Sequence, residues 1–400
     1  MNSKLILLFC LFFPLSGLKA ADLLVQEFGP TGTFNSIGAA VSAAVDGDRI
    51  IISDRPGGPP WIENVTISKS LTLLPAVSGT RFSVLGDYTI SPALSGKQVR
   101  IIGMDNGQGD IRALADAPIG NRSKVEIVGC RIDGQINFDY SYFDVTVASN
   151  EILGGGVTIR FGNVYGNDLL GYFISIEGDA LAGNEEIRIM GNRAGSIQWS
   201  SSSHFMYISN NFIEKTSSSF SGLFVANLKD SGVKTQQILN NSFAIKAGGI
   251  GIDFVNIGVS NAQFQIFNNV FDRQTSSSVG AFSIPTGVAG AVDISYNFGD
   301  MGGVYLNSSG SLNNGTNGSS TIYALGANGT INANLIDLGH PSIAYYDHDL
   351  TRNNPGCYGG SYSMSNYYPQ TTNPRVYNVF APSVILQGNT FDVSAEGFDR

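Results

Sequence analysis

From residue 125 onward the chain repeats one polarity pattern: an apolar residue, two spacers, an asparagine, one spacer and, usually, another apolar residue. It reads VEIVGCRI, VTVASNEI, NVYGNDLL, IRIMGNRA, MYISNNFI, QQILNNSF, FQIFNNVF, VDISYNFG and GTINANLI. The asparagines are Asn150, Asn167, Asn192, Asn211, Asn241, Asn269, Asn297 and Asn334, with Cys130 in the first place. Their spacings are 20, 17, 25, 19, 30, 28, 28 and 37 residues. The mean is about 25, and self-similarity at such a period signals a solenoid with loops of variable length.

The stretches around these asparagines are short, alternate in polarity, are rich in Val, Ile, Phe and Thr, and are separated by Gly, Asn and Ser, which predicts half-buried strands. Apolar residues three before and two after each Asn suit side chains that enter a shared interior on either side of a sharp corner. Asn tolerates the left-handed backbone such a corner needs. Stacked at about 4.8 Å per rung, each amide can donate to one neighbour and accept from the other. The fold class expected is therefore all-β, a right-handed parallel β-helix of roughly twelve rungs between residues 46 and 345. Cys130 has no amide, so the ladder is expected to be interrupted or to begin there.

Different patterns mark the two ends. Phe34, Ile37, Val41 and Val45 fall on one helical stripe ended by Asp46-Gly47-Asp48, predicting a cap helix over about residues 34–45 that plugs the coil and shields its parallel edge. In residues 361–400 a Tyr-, Ser- and Asn-rich stretch gives way to RVYNVFAPSVILQGNTFDVSAEGFDR, an alternation around Gly388-Asn389 that predicts a C-terminal β extension, a hairpin or cap. At the start, Lys4 precedes an apolar run from Leu5 to Phe13 and small residues at Gly17 and Ala20, the layout of a signal peptide over residues 1–20. No later stretch has the roughly 18 consecutive apolar residues of a membrane span. A secreted or surface-attached chain is expected, with its coil in residues 21–360.

Composition narrows the partners. The chain has 400 residues and a net charge of −9, and loss of Lys4 and Lys19 with the leader takes it to −11. That argues against nucleic acid and against uronate-rich polysaccharides unless a cation bridges them. Of the three cysteines, Cys10 lies in the leader, so Cys130 and Cys357 cannot make a disulfide framework and packing must supply stability.

The segment FNSIGAAVSAAVDGDRIIISDRPGGPPWIENVTISKSLTLLPA resembles the opening of pectin-lyase-like β-helix proteins: an amphipathic helix, Gly-Asp, a strand, a Glu-Asn-x-x-Ile strand and a Leu-Thr-Leu strand. LIDLGHPSIAYYDHDLTRNNPGCYGG resembles a closing segment of secreted bacterial β-helix proteins at Asp337, Gly339, Asp347, Asp349, Arg352, Asn353, Gly356, Tyr358 and Gly359, departing from it at His348 and Cys357. Together the resemblances cover about residues 30 to 360. They imply architecture and a bacterial, exported protein; this fold hosts lyases, hydrolases, esterases and non-catalytic adhesins alike.

Signatures of known chemistry are mostly missing from the chain. Glu63-Asn64 is similar to pectin methylesterases, whose later catalytic strands have no counterpart here; the polygalacturonase and pectate-lyase signatures are missing, and no Gly-x-Ser-x-Gly elbow occurs. His204, in a polar loop entering a strand, reads as an exposed or capping residue before a catalytic one. His340 reads as structural. Oxygen donors alternate along Asp347-His348-Asp349-Leu350-Thr351-Arg352-Asn353; they suit a calcium shell at Asp347 and Asp349, or else these carboxylates cap turns and pair with Arg352. No cofactor motif is read. Ile136, Phe138, Tyr140 and Tyr142 share a strand face that either stacks sugars or, more commonly for such a row, packs in the core. Glu177, Asp179, Glu185 and Glu186 read as solvated loop acids.

Two functions follow. The first is a non-catalytic secreted or cell-surface coil that binds carbohydrate, a polysaccharide or surface glycan, or another surface, through one face. The alternative is a polysaccharide lyase or glycoside hydrolase with an unrecognised site, for which Asp139, Asp144, Asp253, Lys246 and Arg160 are the loose candidates. An ice-binding rod is disfavoured because its Thr rows fall out of register.

Overall fold

The computed structural model describes residues 20–91, 96–114, 121–169, 171–179, 183–215, 221–245, 249–255, 261–273, 279–284, 292–300, 312–314, 317–320, 323–368, 375–380 and 394–398. Residues 1–19 of the leader and Lys246 lie outside the described residues.

The chain is a right-handed parallel β-helix. Each full turn runs through a strand of a long sheet, a sharp corner, a short strand of a third face, and a strand of a second sheet before the next turn begins. Among the described residues the long sheet has thirteen strands, from Asp22–Val25 to Leu312–Asn314, and the second sheet has ten. The third face is split into sheets of five and six strands, joined only by single bridges from Asp168 to Glu151 and to Arg193. Described rungs thus start before residue 46, and after Ser319 the chain leaves the coil.

One row shows why this sequence coils. Ile101, Ile127, Val147, Val164, Ile189, Ile208, Ile238, Ile266 and Ile294 pair in unbroken register along the long sheet. All point into one buried core. Each such side chain contributes about 1.5–3 kcal/mol by leaving water, and like sits on like at every rung. The residue two past the ladder position closes the other side of the corner: Ile132, Ile152, Ile213, Phe243 and Phe271 are all buried.

The asparagine ladder is present and directional. Nδ2 of Asn150 donates to Oδ1 of Asn167 at 2.9 Å, and the same step repeats through Asn192, Asn211, Asn241, Asn269 and Asn297 to Asn317. The backbone N–H of each also donates to that Oδ1, as from Asn150 to Asn167 at 2.9 Å. The other Nδ2 hydrogen reaches a carbonyl of the preceding rung, Ile127 in the case of Asn150. Cys130 begins the row: its N–H donates to Asn150 Oδ1 at 2.8 Å, and its sulfur accepts from the Met104 N–H at 3.4 Å.

Two sequence expectations about the ladder are corrected. Asn334 is not a rung; it lies in a short 3-10 turn, Ala333–Leu335, bonded to Asn332. Its place is taken by Asn317, whose Gly/Ser/Asn-rich surroundings lack the flanking apolar residues that marked the others. The left-handed backbone also falls one residue earlier than expected, on Gly129, Ser149, Gly166, Gly191, Asn210, Asn240, Asn268 and Tyr296. The ladder asparagine itself is free of that strain.

A second ladder, unforeseen, secures the corner between the third face and the second sheet. Asn64 Oδ1 accepts from the Asp87 N–H, Asp87 Oδ1 from the Asp110 N–H, and Asp110 Oδ1 from the Gln135 N–H, at 2.8, 3.0 and 3.0 Å.

The cap helix spans Ile37–Ala43, shorter than 34–45 at both ends. Phe34 is drawn into a bridge with Val25, Ser36 caps the first turn by accepting from the Ala39 N–H, and the Asp48 carboxylate takes the Val45 N–H, leaving Val45 exposed. Ile37, Ala40 and Val41 join the core. Glu63 accepts from the Ile37 and Gly38 amides at 2.8 Å each, while Lys69 donates to the Val41, Ser42 and Ala44 carbonyls. Both orphan ends of the helix are thereby satisfied from the turn below, with charges matched to its dipole.

Residues 323–368 lie along the side of the coil as a strap that runs back toward the N-terminal end. Leu325 and Leu335 cover Val270 and Phe298; Cys357 and Met364 cover Phe212 and Ala244; Tyr367 covers Val128, Ala148, Tyr165 and Met190. The strap thus buries the apolar residues that the ladder corner leaves facing outward. Arg375–Phe380 and Ser394–Phe398 form an antiparallel pair, the C-terminal β extension.

Candidate functional site

The outer face of the long sheet carries a second unbroken register. Arg100, Glu126, Thr146, Asn163, Arg188, Tyr207, Gln237, Gln265 and Asp293 follow one another across neighbouring strands, alternating along each strand with the buried aliphatic row. It divides into two zones.

The first zone is charged. Glu126 receives Arg100 at 2.5 Å, Lys124 at 3.1 Å and Gln98 at 3.3 Å. Burial opposes its ionisation, but the two cations outweigh that and hold the carboxyl below its ordinary range. Its neighbour Asp144 is shifted the other way, upward, because desolvation there exceeds the help of Lys124 and Arg122.

The second zone is amide and aromatic. Gln237 Nε2 donates to Gln265 Oε1 at 2.7 Å, and Asn163 Oδ1 accepts from the Arg188 N–H. Tyr207 lies edge-on to Tyr362 of the strap, with ring centres 6.2 Å apart. The strap's Tyr345 hydroxyl donates to Gln265 at 3.3 Å. The sheet is thus the floor, and strap tyrosines form a wall. Burial raises the Tyr207 phenol well above its usual range, so it stays neutral. Arg188 is matched to Glu186 at 2.8 Å, and Glu186 to Lys234 at 2.6 Å.

Beside the charged zone is a buried polar knot. His204 is fully buried, its Nε2 2.7 Å from Asp179, and Arg122 reaches the same carboxylate oxygen at 2.5 Å. Phe161 packs on both, 3.8 Å from the Arg122 guanidinium and 4.9 Å from the His204 ring. His204 Nδ1 has no hydrogen-bond partner and stands 3.8 Å from Glu185. Three expectations fail here: His204 is not exposed, and the side chains of Asp179 and Glu186 are buried and paired rather than solvated. The reason is that variable loops fold over the start of the long-sheet strands. No local pattern announced that Arg122, from a distant loop, would meet Asp179.

The other candidates do not converge. Asp139 pairs with Arg160 at 2.8 Å on the second sheet; Asp253 accepts from Ser221 on that sheet, five rungs or about 24 Å away. Asp144 is on a different face. Ile136 and Phe138 are buried in the core, and Tyr140 packs partly against it. His340 is stacked among Phe267, Tyr296 and Tyr345. Asp347 binds the Asn354 and Gly360 N–H groups, and Asp349 the Thr351 N–H and hydroxyl. Arg352 turns away from both, to the carbonyls of Gly339 and Leu338. Among the described residues no three His, Cys, Asp or Glu side chains gather as a metal site, and no helix is long and apolar enough to cross a membrane.

The architecture defines a parallel β-solenoid with a polar and aromatic face. Comparison with known proteins found no matching family model, curated protein or solved structure.

Proposed function

We propose that the chain is an exported or cell-surface β-helix of the pectin-lyase-like group that binds a polysaccharide or surface glycan, without chemistry, through the outer face of its long sheet. One observation carries the reading: Asn163, Arg188, Tyr207, Gln237 and Gln265 stand in register on consecutive strands beside Tyr362 and Tyr345. Planar amides hydrogen-bond hydroxyls as donor and acceptor, and aromatic faces stack on the apolar faces of sugar rings. The helix-cap sequence and its Glu63-Asn64 support the family, and residues 1–20 support export.

Affinity gel electrophoresis against a panel of polysaccharides tests the proposal. Retardation by at least one polymer, lost in Tyr207→Ala, is expected. Retardation by none would end it. The hydrolase or lyase reading is favoured by a single feature, the opposite shifts of neighbouring Glu126 and Asp144, since paired carboxyls pushed apart suit acid and base roles. Reducing or unsaturated products, abolished by Asp144→Asn, would replace binding with catalysis.

A further inference from the structure

We infer that the ligand of this face is an uncharged, extended, β-linked glycan lying along the coil axis with about one sugar to each rung. This deepens the binding reading above and rests on it.

Charge is the first argument. The two cations at the amide zone are already matched inside the protein, Arg188 and Lys234 both to Glu186, while Asp293 at the end of the row accepts from the Ser295 hydroxyl, which brings no countercharge. A uronate or sulfated polymer would have to break one of these pairs to gain a cation. It would do so against a chain of net charge −9. A cationic polymer would meet a single carboxylate without a paired cation among the described residues of this zone, Asp293 at the end of the row, and elsewhere would have to take Glu186 from two partners at once. Hydroxyls face neither obstacle, because Asn163, Gln237 and Gln265 offer donors and acceptors without a net charge.

Geometry is the second. Neighbouring strands place equivalent side chains about 4.8 Å apart, close to the advance per sugar of an extended β-linked chain. A helically coiled α-linked polymer cannot hold that register. The amides sit on both sides of Tyr207, whose partly buried ring lies beneath the Arg188 guanidinium at 5.3 Å and edge-on to Tyr362, so it lends the row an apolar edge rather than a bare face. The strap runs beside the same rungs, and its Tyr345 already hydrogen-bonds Gln265, so the wall and the floor are aligned with the axis. A ligand lying across the rungs would meet the strap.

The test is calorimetry on the whole protein with hexasaccharides of β-linked glucose, mannose and xylose, and with hexagalacturonate. The double variant Gln237→Ala/Gln265→Ala is run in parallel, with its melting temperature checked. A neutral hexasaccharide is expected to bind more tightly than its dimer, with affinity unchanged across about a tenfold range of NaCl. The double variant should lose about tenfold in affinity while melting like the parent. Hexagalacturonate binding that is salt-dependent and lost in the double variant would overturn the uncharged ligand but keep the face. A dimer that binds as tightly as the hexamer would overturn the axial arrangement alone. Binding untouched by the double variant, or none to any sugar, would overturn the face itself.

Discussion

Two stretches of the same corner solve one backbone problem with different residues. Each ladder turn from Cys130 to Asn297 has a left-handed residue just before the ladder position; at Gly166 and Gly191 it is glycine, and at Asn210, Asn240 and Asn268 it is asparagine. What lies on top decides. Over the glycines sits the Tyr367 ring, and a Cβ on Gly191 would come within 2.1 Å of it. Over the asparagines runs the strap backbone. Asn210 donates to the carbonyls of Cys357 and Gly359, Asn240 to the Asn354 carbonyl and the Asn353 side chain, and Asn268 accepts from the His340 N–H. A turn residue that was chosen only for its φ in one stretch is, in the other, also the adhesive for a docked segment.

The Asn-Asn pairs allow the sharpest test, because their two members have different jobs. Asn241→Ala removes a ladder amide, strands the Asn211 N–H in the core, and breaks the bonds from Asn211 Nδ2, which keeps the Ile189 and Ser209 carbonyls, to the ladder and from the ladder to the Ile208 carbonyl. A buried group left unsatisfied costs about 1–3 kcal/mol and each further lost bond about 0.5–1.5 kcal/mol, so a loss of about 3–4 kcal/mol is expected, read as a lower urea midpoint with unchanged slope. A loss under about 1 kcal/mol would mean that the ladder follows the coil rather than holding it. Next in size, Gly191→Ala adds a methyl in left-handed backbone and displaces Tyr367, together about 2–3 kcal/mol. That loss should loosen the strap and leave the coil folded; limited proteolysis that cuts the coil before the strap would contradict it.

The coil was legible in the sequence because its interior repeats the same chemistry at every rung, as the row from Ile101 to Ile294 does. Burial on one face and an amide in the turn leave a pattern in one dimension. Asn334 deceived for the converse reason: Ile331 and Ile336 gave it the right neighbours, but those belong to the strap. The candidate site was hardly legible. Tyr207 and Tyr362 meet across 155 residues, and the Arg122–Asp179–His204 knot joins three loops of different length. Outward residues are free of the repeat, so their register emerges only once the strands are stacked.

The second member of an Asn pair should matter less. Asn240→Gly keeps the backbone and loses its strap contacts and one long bond from Asn268 within the coil at 3.4 Å, about 1–2 kcal/mol, and the two buried cysteines can separate that from coil unfolding. Burial pushes the Cys357 thiol up to about 12, so alkylation near pH 8 should be negligible until the strap lifts. Asn240→Gly should speed labelling of Cys357 and leave Cys130 protected; equal acceleration of both would show that strap and coil open together. The same thiol sets a pH limit. Its docked value lies above the free one, so docking is fully supported below about pH 9 and weakens by up to about 1.4 kcal/mol per unit as pH rises toward 12.

The smallest effect concerns the rung whose ladder position carries no amide. Cys130 accepts the Met104 N–H and offers its thiol to the Val128 carbonyl at 3.4 Å and the Ile101 carbonyl at 3.6 Å, all weak bonds for sulfur. Cys130→Asn would supply a true acceptor to Met104, a true donor to Ile101, and a new donor to Asn150 Oδ1, extending the ladder by one step. Against this, asparagine is larger than cysteine, and the corner is fully buried. Net hydrogen-bond gains of about 0.5–1.5 kcal/mol each should exceed a modest repacking penalty, giving about 1 kcal/mol of added stability in urea unfolding. A loss greater than about 1 kcal/mol would show that cysteine is held at this rung by volume, and that the ladder starts where the interior first has room for an amide.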